Sequence, residues 1–154
     1  MCASKTDLEL YIHIPFCIKK CNYCDFLSFP SNEERREIYV QSLINEIEQT
    51  GKLLDKDAYA VRSIFIGGGT PSLLSGEQIE RIMLAVRNAF FIMEEAEITM
   101  EANPGTLTKE NVFSYKKAGV NRFSMGLQSA DDACLHLLGR IHTCLLYTSD
   151  AADE

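Results

Sequence analysis

The chain has 154 residues, of which 46% are hydrophobic and 24% charged, a composition typical of one soluble globular domain. A formal net charge of −7 argues against docking to nucleic acid or to an anionic membrane surface, so we expect a small molecule or a protein as partner. The sequence has no apolar run long enough to span a bilayer and its start lacks a signal-peptide pattern, so we expect no integral membrane segment and a cytoplasmic location.

The first predicted element is a buried strand that leads into a cysteine loop. Residues 8–14 are rich in β-branched and aromatic side chains, and the run stops at Pro15. The loop has the spacing C-x3-C-x2-C and contains Cys17, Cys21 and Cys24. Without an export signal, such cysteines favour metal ligation over a disulfide framework, so we expect three thiolates at one metal centre. The remaining cysteines lack the spacing and have no assigned role: Cys2, Cys134 and Cys144.

Helix and strand patterns then alternate along the chain. From Glu33 apolar residues recur at helical spacing, and Gly51 marks the expected end of that helix. A second helix is predicted to begin at Ser75, with Gln78 completing a capping box. The later strands are predicted over residues 62–66, 96–101 and 121–125, and the later helices begin near Thr108, with Gly119 as C-terminal cap, and at Asp131.

Four strand–helix units in succession predict an α/β fold with parallel strands, because each crossover must return the chain to the same edge of the sheet. Right-handed crossovers then give an open doubly wound sheet or part of a β/α barrel. Four motifs lie at or just after the carboxyl end of a predicted strand: the cysteine loop, the glycine run at 67–69, Glu101 and Gln128. Since those ends share one face of a parallel sheet, where ligands bind, we expect these segments to meet in one pocket.

These motifs together resemble the radical S-adenosylmethionine (SAM) superfamily. The matching stretches are Y-I-H-I-P-F-C-x3-C-x2-C, G-G-G-T-P, E-A-N-P, R-F-S-M-G-L-Q and L-G-R. Within the superfamily the chain looks like the oxygen-independent coproporphyrinogen III oxidase-like proteins and bacterial heme chaperones. The resemblance covers roughly residues 8–143 and implies a parallel β/α partial barrel, of which about the first four strand–helix units are present.

The resemblance implies a [4Fe-4S] cluster on Cys17, Cys21 and Cys24, with SAM on the iron that lacks a protein ligand. Reduction of such a cluster cleaves the SAM sulfonium to a 5'-deoxyadenosyl radical, chemistry that belongs to the cofactor. From the residues alone, the alternative is a zinc knuckle with His13 as fourth ligand, since thiolates also suit zinc. We expect instead that His13 is an ordinary strand histidine, because it precedes the loop.

By the same resemblance, SAM is expected to contact eight residues, which are Tyr11, Tyr23, Gly68, Gly69, Thr70, Glu101, Gln128 and Arg140. The glycine run would approach the methionyl group closely, because a backbone without Cβ atoms allows it. Glu101 would receive the ribose hydroxyls and Tyr23 would pack near the adenine. Each residue also has an ordinary structural interpretation: a tight turn for the glycine run, a turn cap for Glu101, a core position for Tyr11 and a helix-end charge for Arg140.

Two departures from the family refine the expectation. Phe26 stands two residues after Cys24, where the oxidases of this type carry a further cysteine. This favours the heme chaperones, which bind heme and deliver it to respiratory proteins, over a coproporphyrinogen III oxidase, and it leaves open whether the protein is an enzyme. A zinc-stabilised binding module is the third hypothesis.

The second departure is the tail. Residues 1–143 match the N-terminal part of a radical SAM core domain, whereas residues 144–154 no longer resemble the family and are expected to be non-native or out of frame. We expect this polypeptide to be inactive alone, because its fourth strand would have an unpaired edge and part of the pocket would be missing.

Overall fold

The structure is a computed structural model that describes residues 5–146. Its strands are β1 (Thr6–Ile14), β2 (Phe16–Cys17), β3 (Phe29–Pro30), β4 (Tyr59–Gly68), β5 (Ile92–Ala102) and β6 (Arg122–Met125). Its helices are α1 (Glu33–Leu53), α2 (Gly76–Ala89), α3 (Lys109–Ala118) and α4 (Asp132–Leu137), with one 3₁₀ turn at Pro71–Leu73. Within the described residues, no helix is long and apolar enough to cross a membrane.

The four long strands form one parallel sheet in the order β1-β4-β5-β6, which confirms the predicted α/β fold. A doubly wound sheet reverses its strand order at a switch point, and this sheet does not. Consecutive crossovers of one hand all return on the same side of the sheet. Accordingly, α1, α2 and α3 pack in a row, each against the next, and their buried residues share one core with the strands. This arrangement decides between the two predicted architectures in favour of a partial β/α barrel.

The two faces of the sheet differ in chemistry because side chains alternate along a strand. The face covered by the helices is apolar, and its core contains Ile12, Ile14, Ile64, Ile66, Ile98, Met100, Ile79, Ile82, Met83 and Val86. Burying a side chain of this size stabilises the fold by about 1.5–3 kcal/mol relative to leaving it in water. The opposite face carries Tyr11, which pairs in register with Phe65 and through it with Thr99. Glu101 follows two residues later on that face, so polar groups lie away from the helices.

The helix caps that the sequence predicts are found at the same residues in the structure. Ser75 and Gln78 form the predicted capping box, and Asp131 accepts a hydrogen bond from the backbone N–H of Cys134 at 2.8 Å. Gly119 ends α3 in the left-handed conformation, with φ of 105°. Thr108 caps the start of α3 and forms a further capping box with Asn111.

The predicted end of the first helix at Gly51 is wrong, because α1 continues to Leu53. Gly51 is buried, and a Cβ atom there would lie 2.6 Å from the Cβ atom of Ala89. The glycine therefore allows α1 to approach the end of α2, a demand of packing that a single helix pattern does not reveal. Of the predicted tail 144–154, residues 147–154 lie outside the described residues, so that boundary stays a prediction.

Candidate functional site

A cavity of about 360 Å³ lies where the carboxyl ends of β4, β5 and β6 meet the cysteine loop. Its volume is within the range of small-molecule sites. The predicted residues that line it are Cys17, Cys21, Cys24, Tyr23, Gly68, Gly69, Thr70, Glu101, Gln128 and Arg140. Segments far apart in sequence therefore meet in one cavity, as the positions of the motifs predicted.

Tyr11 is the one predicted contact that does not line this cavity. Its ring stacks on Phe65, with ring centroids 6.1 Å apart, and it lines a separate cavity between β1 and α1. Burial raises the pKa of Tyr11, and the negative charge of Glu101 adds to the rise. Tyr11 thus lies on the same face of the sheet as Glu101, but it does not line the cavity that the other predicted residues share.

His13 uses both ring nitrogens within the protein. Nε2 lies 3.0 Å from the carbonyl oxygen of Leu27, which only accepts, so Nε2 carries the proton. Nδ1 then accepts from the Tyr11 hydroxyl at 3.2 Å. His13 does not line the cysteine cavity. This arrangement disfavours the zinc knuckle with His13 as fourth ligand.

The cysteine loop is attached to the core at its start and in its middle. Phe16, buried directly before Cys17, packs edge-on against Phe29 and Tyr39. Asn22 donates to the carbonyl oxygens of Leu138, from its backbone at 3.0 Å, and Leu137, from its side chain at 2.9 Å. The loop is therefore held against the end of α4, which brings it close to Arg140.

Cys17, Cys21 and Cys24 are free of disulfides and partly exposed along the wall of the cavity. Within residues 5–146, no group of three or more His, Cys, Asp or Glu side chains is gathered closely enough to hold a metal ion. The role of Cys17, Cys21 and Cys24 as cluster ligands therefore stays a prediction. The donor set itself fits that role, because it offers three reduced thiols from one short loop and a cavity in front of them.

The glycine run lies directly against the chain that enters the cysteine loop. The backbone N–H of Gly69 donates to the Ile14 carbonyl at 2.8 Å, and that of Thr70 donates to the Phe16 carbonyl at 2.6 Å. A Cβ atom on Gly69 would lie 2.5 Å from the Phe16 carbonyl oxygen, so this approach requires glycine. The N–H of Gly68 donates to Glu101 Oε2 at 2.9 Å. All three N–H groups are thus committed within the protein.

A polar network joins this run to the other motifs. Asn103 donates from Nδ2 to Thr70 Oγ1 at 2.9 Å, and Arg140 Nη2 donates to Asn103 Oδ1 at 2.8 Å. Arg140 Nη1 lies 3.6 Å from the Cys21 sulfur, and Thr70 Oγ1 lies 3.7 Å from the Cys17 sulfur. The sequence-based prediction missed Asn103, although Asn103 stands inside the E-A-N-P motif. It also missed other residues of the lining, which are Lys19, Phe26, Ala102, Ser124, Met125 and Gly126.

Gln128 has a backbone φ of 67°, in the left-handed region that a side chain with a Cβ atom rarely adopts. The segment before it is held by two side chains. Arg140 Nη2 donates to the Gly126 carbonyl at 2.9 Å, and His142 Nε2 lies 3.2 Å from the Leu127 carbonyl. These two contacts thus support the backbone next to Gln128, which lines the cavity.

His142 was also missed from sequence, and the signal for it was its position just after L-G-R. The side chain is 5% exposed. Burial lowers the pKa of His142, and the positive charge of Arg140 lowers it further. Burial raises the pKa of Tyr23, while the charge of Arg140 opposes that rise. Arg140 therefore acts on the cysteine loop and on the Gln128 segment from one position.

Known proteins match this chain over most of its length. Residues 11–144 match the Radical SAM superfamily. The heme chaperone HemW of Escherichia coli (strain K12) is 50% identical over 141 residues, which cover 88% of this chain and 35% of that protein. The mitochondrial radical S-adenosyl methionine domain-containing protein 1 of Mus musculus is 37% identical, covering 92% of this chain and 31% of that protein. The chain thus spans about a third of the length of these curated relatives.

Among solved structures, the fold is similar to that of coproporphyrinogen III oxidase (HemN) from Escherichia coli, a radical SAM enzyme. The TM-score is 0.84 at 29% sequence identity, and the similarity covers 94% of this chain and 33% of that chain. The four-stranded parallel sheet with its helices on one face therefore corresponds to part of a known radical SAM fold.

Proposed function

This chain belongs to the radical SAM superfamily, and from that membership we propose that the complete protein is a heme chaperone that carries a [4Fe-4S] cluster and SAM and delivers heme to respiratory proteins. The observation that carries the proposal is the 50% identity to the heme chaperone HemW across 88% of the chain. Phe26 supports it, because it stands at the position where the related oxidases carry a further cysteine.

Cys17, Cys21 and Cys24 would hold the cluster as thiolates. Bound in this way, the cluster supplies one iron with an open coordination position and one-electron chemistry. The cavity that the three cysteines line would give SAM room beside that iron. The cluster ligands and the cavity lining thus come from the same end of the sheet.

The polar groups of the cavity suggest how SAM would be oriented. Because the N–H groups of Gly68, Gly69 and Thr70 already donate within the protein, this wall does not offer them to a carboxylate. Backbone carbonyls and the Glu101 carboxylate suit ligand groups that donate, namely an ammonium or hydroxyls. Glu101 accepts from Gly68 through Oε2 and keeps capacity for a ligand donor. Arg140 supplies the positive charge that a ligand carboxylate needs.

The test uses the full-length protein, reconstituted anaerobically with iron and sulfide. We expect about four irons per chain with broad brown absorption, heme binding, and transfer of heme to an apo acceptor protein. A variant with alanine at all three cysteines serves as the control for the cluster. Reconstituted protein that binds no heme contradicts the chaperone proposal.

The alternative function is oxidative decarboxylation of coproporphyrinogen III, which the structural similarity to HemN favours. The same preparation, given reductant, SAM and coproporphyrinogen III under anaerobic conditions, separates the two functions. Formation of protoporphyrinogen would establish the oxidase, whereas heme transfer without that product would support the chaperone. Colourless protein with one zinc per chain would support a zinc-stabilised module instead.

A further inference from the structure

We propose that Asn103 is a positioning residue that directs hydrogen-bond donors onto two of the three cysteine sulfurs and thereby raises the reduction potential of the cluster that they hold. The inference rests on the proposed function, because it takes Cys17, Cys21 and Cys24 as cluster ligands. It gives the asparagine of E-A-N-P a role that requires no contact with SAM.

The orientation of the Asn103 amide follows from its neighbours. A guanidinium only donates hydrogen bonds, so the atom of Asn103 that lies 2.8 Å from Arg140 Nη2 is the amide oxygen. The amide nitrogen then faces Thr70 Oγ1 at 2.9 Å and donates to it. Arg140 therefore fixes which way the amide points.

The Thr70 hydroxyl has one proton, and its direction follows from the amide. Because Oγ1 accepts from Asn103, that proton is available for a different acceptor. The Cys17 sulfur lies 3.7 Å from Oγ1 and is the acceptor that the hydroxyl contacts. Thr70 is only 3% exposed, so water competes little for the same proton.

A second branch of the network leads to Cys21. Arg140 Nη2 is held by Asn103 Oδ1 and by the Gly126 carbonyl at 2.9 Å. This leaves Nη1 to reach the Cys21 sulfur at 3.6 Å. Within residues 5–146 the Cys24 sulfur makes no such contact. The donors therefore act on two thiolates of the three.

Donors at a thiolate favour the more reduced state of a cluster, because reduction adds negative charge that the sulfurs share. In this step a low-potential one-electron donor transfers one electron to the cluster, and no bond forms or breaks. The Thr70 hydroxyl and the Arg140 guanidinium offset the added charge. The reduced cluster is thus more stable than it would be without them.

Asparagine suits this position and aspartate does not. A carboxylate at residue 103 would accept from Arg140 and also from the Thr70 hydroxyl, which would turn that proton away from Cys17. Asn103→Asp therefore keeps the size of the side chain while reversing one hydrogen bond. Thr70→Val removes the same donor without adding charge, and Thr70→Ser retains it.

The test compares these variants in the full-length protein after anaerobic reconstitution, without SAM. The reduced cluster is quantified by electron paramagnetic resonance during a potentiometric titration with dithionite. At a fixed solution potential, we expect the ratio of reduced to oxidised cluster to fall roughly threefold to tenfold in Asn103→Asp and Thr70→Val, as for loss of one hydrogen bond. A tenfold fall is about 59 mV for one electron. Thr70→Ser and the control Asn111→Asp, which alters a helix cap outside the cavity, are expected to match the unsubstituted protein.

An unchanged ratio in Thr70→Val would overturn the proposal, as would an equal fall in Thr70→Ser. Iron and sulfide contents are measured on every sample, so that a variant that fails to load its cluster is recognised. If Asn103→Asp fails to load, the comparison of Thr70→Val with Thr70→Ser decides the outcome. Heme binding is measured on the same samples. Its absence beside the expected shifts in potential would contradict the chaperone function and leave the role of Asn103 intact.

Discussion

The imidazole of His142 lies 3.2 Å from the backbone carbonyl of Leu127, immediately before the left-handed Gln128. His142 is buried, and among residues 5–146 its other ring nitrogen, Nδ1, has no hydrogen-bond partner. Because the carbonyl only accepts, Nε2 is the protonated nitrogen and the neutral ring supports the strained segment. A residue that need not touch the ligand thus helps set the backbone that presents Gln128 to the cavity.

Replacement of His142 should therefore weaken SAM binding. His142→Phe keeps an aromatic ring but loses the hydrogen bond to Leu127, so the strained φ of Gln128 loses support that we expect to be worth about 1 kcal/mol. We expect roughly fivefold weaker SAM binding by equilibrium dialysis, with unchanged iron content. The exposed His136→Phe is the matched control. Equal affinity in His142→Phe and the unsubstituted protein would refute this role.

His142 should also make stability depend on pH. Burial and the Arg140 charge lower the folded-state pKa of His142 below its ordinary value of 6.5, while the Leu127 carbonyl and Asp132 partly oppose the shift. As the pH falls below 6.5, the unfolded chain takes up a proton that the folded protein does not, so stability is lost. The stability that the buried, neutral His142 contributes is fully present above pH 6.5. We expect the melting temperature to fall between pH 7.5 and 5.5, and to fall less in His142→Phe. Parallel plots of melting temperature against pH for the unsubstituted protein and His142→Phe would contradict this role of His142.

Gly51→Ala should destabilise the fold although alanine is the better helix former. The new Cβ atom would lie 2.6 Å from that of Ala89, and the resulting overpacking costs about 1–3 kcal/mol, more than the helix propensity gained. Urea denaturation measures the free energy of unfolding. The double variant Gly51→Ala/Ala89→Gly removes the shortest contact, while the backbone of residue 89 stays 3.0 Å away, so it should recover part of the loss. Additive effects of the two substitutions would show that this contact is not the cause.

Tyr115→Phe should weaken the attachment of α3 to the segment after the glycine run. The Tyr115 hydroxyl donates to the Leu74 carbonyl at 2.6 Å, and burial raises the pKa of Tyr115 to about 12. Removing the hydroxyl leaves a carbonyl without its partner, at a cost of about 1–3 kcal/mol in the free energy of unfolding. Tyr59→Phe, at a half-buried position without a side-chain hydrogen bond in residues 5–146, is the control. Equal losses in the two variants would argue against a specific role of this hydrogen bond.

The assignment of the three cysteines is tested by single substitutions. Cys21→Ser replaces one thiolate with a poorer ligand for iron, so we expect the reconstituted iron content to fall well below that of the unsubstituted protein, with loss of the brown absorption. Cys134 is exposed and free, and Cys134→Ser should retain the full content. Iron and sulfide analysis together with absorption spectroscopy measures the outcome. Full iron content in Cys21→Ser would remove this residue from the ligand set.

Much of the fold could be predicted from local signals in the sequence. Ser75 with Gln78, and Gly119 at the end of α3, are found in the predicted roles because caps depend on residues only a few positions apart. Gly51 was misassigned because its place is set by Ala89 on another helix. Asn103 and His142 were missed for the same reason. Each stands in or beside a recognised motif, but its partner, Arg140 for Asn103 and Leu127 for His142, lies elsewhere in the chain.

The sequence by itself determined the order of strands and helices, their parallel pairing and the spacing of three cysteines, because these follow from side-chain periodicity and from residues close along the chain. The tertiary structure decided that the sheet is part of a barrel and that Asn103 joins Thr70 to Arg140. It also placed Tyr11 beside Phe65, outside the cavity. Such relationships depend on hydrogen-bond geometry and packing between segments separated by tens of residues, which exist only when the chain has folded.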